Sequence, residues 1–118
     1  MKFQRSDKDG EEFLLSVLPP DPRIKVKPMF GNRAAFVNGN MFAGLYGRDM
    51  LVRLPEEGRA ELLREKGASV FEPVKGRVMK EYIIIPRDWR ERPDAAKRWV
   101  LKSLEWVGSM PAKSRSKG

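Results

Sequence analysis

The segment GRVMKEY, residues 76–82, carries a lysine and a tyrosine two positions apart. In an extended chain that spacing sends Lys80 and Tyr82 to one face, with Arg77, Met79 and Glu81 on the other. An ammonium beside a phenol could clamp an anion, with Arg77 adding charge nearby. The same residues could equally form a cross-strand ion pair, or a lysine whose stem covers apolar surface while its head stays wet. A second basic set, Arg23, Lys25 and Lys27, alternates with Ile24 and Val26. Joined by Lys113, Arg115 and Lys117 from the other end of the chain, it could contact the phosphates of a nucleic acid, or simply be a charged edge that discourages aggregation. Met29, Phe30 and Gly31 set a thioether and a ring beside a residue with no side chain, which suits either the floor of a small apolar pocket or ordinary core and turn positions.

Absences narrow the chemistry further. The 118 residues include no His and no Cys, which removes disulfides, thiol chemistry, Ser-His catalysis and the commonest metal ligands. Glu11-Glu12 and Glu56-Glu57 are adjacent in helical segments, where neighbours diverge by about 100° and cannot flank one bond. No phosphate-binding glycine loop is present. The expectation is therefore a protein without enzymatic activity and without a cofactor. Lys and Arg number 24 against 16 Asp and Glu, a formal charge of +8, which favours anionic partners or serves solubility. No apolar run is long enough for a membrane span and the polar start is unlike a secretory signal, so the expected location is the cytoplasm.

The elements that must position these residues follow from periodicity. Phe13, Leu14, Val17 and Leu18 form one helical stripe, entered near Ser6 and Asp9 and ended by Pro19 and Pro20. Alternation predicts strands over 23–27, 34–37, 41–46 and 50–54, with Asn38-Gly39 as a hairpin turn and Gly47 to Asp49 as the next. Pro55, Glu56 and Glu57 begin a short helix that Gly67 closes. Residues 68–75 are ambiguous. A last strand runs over 78–85, and its consecutive Ile83, Ile84 and Ile85 ask for cover on both faces. Ala96, Trp99, Val100, Ser103, Leu104 and Val107 trace the clearest amphipathic helix, with Leu101 and Trp106 off the stripe as markers of a partner or homodimer surface, or as scattered apolar residues. One domain over 1–111 and a mobile basic tail over 112–118 are expected.

KPMFGN at 27–32, VNGNMFAG at 37–44, DMLVRL at 49–54, GRVMKEYIIIP at 76–86 and the Trp-containing last helix occur in an order that resembles the N-terminal domain of the TfoX/Sxy family of bacterial competence regulators. The resemblance implies an α+β fold: a two-layer domain with a five-stranded antiparallel sheet and helices packed on it, of the general shape of secretion chaperones. It implies a regulatory role through a protein partner or homodimer; the alternative, weak sequence-independent nucleic-acid binding, rests on charge alone. Family members of this kind carry a second, helical domain; this chain looks like a stand-alone member. No catalytic residues come with the resemblance.

Overall fold

The computed structural model describes residues 8–29 and 32–111. Within them lie three α-helices, α1 (Lys8–Val17), α2 (Glu56–Leu63) and α3 (Pro93–Gly108), and a 3₁₀ turn at Arg87–Glu91. The strands are β1 (Lys25–Met29), β2 (Asn32–Val37), β3 (Asn40–Tyr46), β4 (Asp49–Arg53), β5 (Ser69–Val74) and β6 (Arg77–Ile84). They form one antiparallel sheet in the order β1-β2-β3-β4-β6-β5. The α+β class is as expected. The sheet has six strands among the described residues rather than five, because the ambiguous segment becomes β5. A proline within it and weak alternation hide its state, which is decided by pairing with β6.

Local chemistry explains the meander. Asn38 and Gly39 have φ of 54° and 77°, the left-handed pair that a two-residue hairpin needs to match strand twist. The side chain of Asn38 also donates to the Gly108 carbonyl at 3.0 Å, so the turn closes the open end of α3. The first strand begins two residues later than alternation suggests, at Lys25 and not Arg23. The Asp21 carboxylate accepts the Arg23 backbone N–H at 2.9 Å and its guanidinium at 2.7 Å, a turn that holds Arg23 out of the sheet. Ser6, the expected helix cap, lies outside the described residues.

Two rows of side chains cross the sheet. One row, Ala35, Ala43, Val52 and Ile83, faces the helices. There Leu14 and Val17 of α1, Leu62 of α2, Trp89 of the 3₁₀ turn and Trp99, Val100, Leu104 and Val107 of α3 complete a single buried cluster. The expected apolar stripe of the last helix is thus its buried face. Ile83 and Ile85 are buried in this cluster, while Ile84 on the opposite face is half-buried.

The other row is Ala34, Gly44, Leu51 and Ile84. Ala34, Leu51 and Phe71 are buried yet stand apart from the helix-side cluster. What covers them is the β5–β6 hairpin. Its register jumps from Val70 opposite Ile83 to Phe71 opposite Met79, leaving Lys80, Glu81 and Tyr82 without partners on β5. Phe71 meets the Tyr46 ring edge-on at 5.2 Å, and the Tyr46 hydroxyl lies 3.5 Å from the Pro73 carbonyl. Tyr46 belongs to β3, separated from β5 by β4 and β6. The contact therefore requires the hairpin to arch across the helix-free face.

Candidate functional site

The arch and the sheet beneath it enclose a cavity of about 150 Å³. Small residues make the hollow: Gly44 in the middle of β3 lies opposite Ala34, and a Cβ placed on it would come within 3.3 Å of the Ala34 Cβ. Longer side chains make the walls, namely Met41, Tyr46, Leu51, Phe71, Met79 and Tyr82. No Asp, Glu, Lys or Arg is among the described residues that line it. Met79, 40% exposed, stands between the hollow and solvent.

Tyr82 is the polar corner of this site. Its hydroxyl donates to the Met41 carbonyl at 3.2 Å. Burial pushes its phenol above the ordinary pKa, with the Arg53 charge pulling the other way. Arg53 lies opposite Tyr82 in the β4–β6 pairing and binds the Glu81 carboxylate at 2.7 Å. Its guanidinium sits 5.7 Å from the Tyr82 ring centre and 5.9 Å from that of Trp106. The charged neighbour of the Tyr82 ring is thus Arg53, which Glu81 holds. Lys80 and Arg77 are exposed on the arm.

Simple alternation separates Met79 from Tyr82, but both line the cavity. The unpaired stretch between them breaks the two-residue period. Arg53 escaped the sequence analysis because its pairing with Tyr82 joins strands far apart in the chain. Gly44 carried a signal that went unused, since a glycine inside a strand marks a close approach.

The expected cationic surface is divided. Lys25 and Lys27 are exposed on β1, paired opposite Phe36 and Ala34 and hence on the helix-free face, with Lys27 Nζ 4.7 Å from the Phe36 ring centre. Arg23 instead points to α3, where its guanidinium would lie 3.3 Å from a Cβ on Gly108. The two groups lie on different sides of the sheet because Arg23 precedes the strand. Lys113, Arg115 and Lys117 lie outside the described residues, as do Phe30 and Gly31. Met29 ends β1 opposite Asn32.

On the outer side of α3, Leu101 is 50% exposed. With Leu104 it forms the apolar floor of a broad groove whose sides are Arg23, Lys97, Arg98, Lys102, Asp94 and Glu105. Arg98 and Lys102 also reach Glu61 of α2, at 3.3 and 3.9 Å. Trp106, also off the stripe, is instead partly buried against the core.

Helices on one face of an antiparallel sheet and an arched hairpin on the other define an α+β domain. The sequence model of the TfoX N-terminal domain matches residues 16–106, and the chain belongs to that family. At family level it is a regulatory, competence-related domain. No curated protein matches the chain. Among the described residues no helix is long and apolar enough to cross a membrane.

Proposed function

We propose that this protein is a non-enzymatic regulatory domain of the bacterial cytoplasm that acts, as a competence-type regulator of transcription, by binding a protein partner through the outer side of α3. The observation that carries the reading is the Leu101 groove. A half-exposed leucine is surrounded by charges of both signs, the arrangement of an apolar contact centre with a polar rim. Arg23, Arg98 and Lys102 each already lie against a carboxylate, so a phosphate backbone would have to compete for them, whereas a protein surface of mixed charge would not.

Comparing the wild type with Leu101→Glu tests this. The substitution is at a solvent-facing helix position and leaves the fold intact. Cross-linking in host lysate should yield a saturable partner, or a second copy of the chain, joined through Lys97 and Lys102 and lost in the variant. Equal capture by both proteins, or a strictly monomeric protein with no cross-linked partner, would reject it. A labelled duplex titrated into both across a salt series is the second arm. Binding near physiological salt that falls steeply with ionic strength and ignores Leu101→Glu would move the function to nucleic acid and to Lys25 and Lys27.

A further inference from the structure

We propose that the cavity beneath the β5–β6 arch is a binding site for a small uncharged aromatic molecule, a single ring with at most short substituents. The site lies on the face opposite the helices and does not depend on the α3 groove.

Its volume, about 150 Å³, matches that of engineered apolar cavities which stay dry and admit benzene. Its lining selects against charge. With no ionisable acid or base besides the two phenols among the lining residues, an ionic ligand would lose its hydration without a counter-charge. The polar atoms nearest the hollow are engaged, since the Tyr82 hydroxyl donates to Met41 and that of Tyr46 is directed at Pro73. A ligand therefore needs no hydrogen bond of its own.

The walls favour a ring over an aliphatic chain. Tyr46 and Phe71 already meet edge-on at 5.2 Å, and Tyr82 supplies a third ring. The thioethers of Met41 and Met79 add polarisable sulfur, which interacts favourably with ring edges. The floor is set by the sheet itself, because Ala34, Gly44 and Leu51 sit opposite one another on paired strands. Met79, which lines the hollow and is 40% exposed, is an unbranched side chain that adapts readily to a ligand.

The experiment is a toluene titration of the full chain with labelled methyl groups, followed by NMR. Saturable shifts are expected at Ala34, Leu51 and Met79, with cross-relaxation from ligand protons to the methyls of Ala34 and Leu51. This reading needs no variant. Ala34→Leu, which fills the hollow from its floor, should weaken binding at least about tenfold by taking the volume the ring would occupy. Benzyl alcohol should bind and benzoate should not. The proposal is overturned if shifts do not saturate, if cross-relaxation falls on other methyls, or if Ala34→Leu binds toluene as well as the wild type. Equal binding of benzoate would overturn the assignment to uncharged ligands. None of these results bears on Leu101.

Discussion

On the helix-covered face Phe42, Met50, Val52 and Ile83 are completely buried among side chains from α1 and α3, whereas on the other face Ala34, Gly44 and Leu51 lie under an arch that leaves about 150 Å³ unfilled. The two faces belong to the same strands and differ by one residue in register. Helices can present a row of large side chains at fixed spacing along a sheet and fill its surface to the density of a crystal. A two-stranded arm that crosses the strands offers a few side chains, here Phe71 and Met79, and spans a gap it cannot fill. One face of this sheet is therefore densely packed, while the other keeps an open volume beneath the arm.

The largest expected effect probes that division directly. Phe42→Ala, on the packed face, should cost about 3–5 kcal/mol, since its neighbours are held on all sides. Phe71→Ala should cost less, nearer ~2 kcal/mol, because the arm can settle into the hollow. Urea unfolding of the two variants measures both, and equal losses would show that the two faces are packed alike.

A smaller effect concerns how the packed face tolerates a defect. The register passes from Ala35 opposite Ala43 to Phe36 opposite Met41, so Phe42 has no partner on β2. Its carbonyl accepts the hydroxyl of the buried Ser103 at 2.5 Å. Ser103→Ala strands that carbonyl at a cost of about 1–3 kcal/mol, offset by roughly 0.5 kcal/mol from the better helix propensity of alanine. A neutral Ser103→Ala would mean that the bulge finds another donor.

The smallest effect sharpens the description of the open face. Burial raises the Tyr82 phenol above 10.0, the value it has when free in water. The folded state then holds that proton where the unfolded chain has lost it. Its contribution to stability is complete below about pH 10 and declines as pH rises through the folded value. Tyr82→Phe should flatten this part of the stability curve. Parallel curves for the two proteins above pH 10 would show that the hydroxyl is solvated rather than enclosed.

Much of this architecture was legible from neighbours in sequence. Asn38-Gly39 specifies its turn through backbone sterics, and Trp99, Val100, Leu104 and Val107 specify a helix face through a period of 3.6. The candidate sites were far less legible. In sequence Tyr82 stands out by its spacing from Lys80, whereas in the fold it hydrogen-bonds the Met41 carbonyl and stacks near the Arg53 guanidinium. Ser103 fitted the apolar stripe only by position, and its reason for being there is a carbonyl on another strand.

By itself the sequence determined the properties that depend on a few consecutive residues: turns, helix faces, the absence of His and Cys chemistry, and the family to which the chain belongs. Tertiary structure alone decided that residues 69–74 would pair as a sixth strand, that Arg23 would leave the basic strand for α3, and that the β5–β6 hairpin would arch over Gly44. The arch depends on a ring contact between segments far apart in the chain, Tyr46 and Phe71, whose free energy exists only once the sheet has formed. The other two use near neighbours, Asp21 for Arg23 and β6 for β5, but no simple alternation encodes them because a side-chain turn and a register shift interrupt the two-residue period.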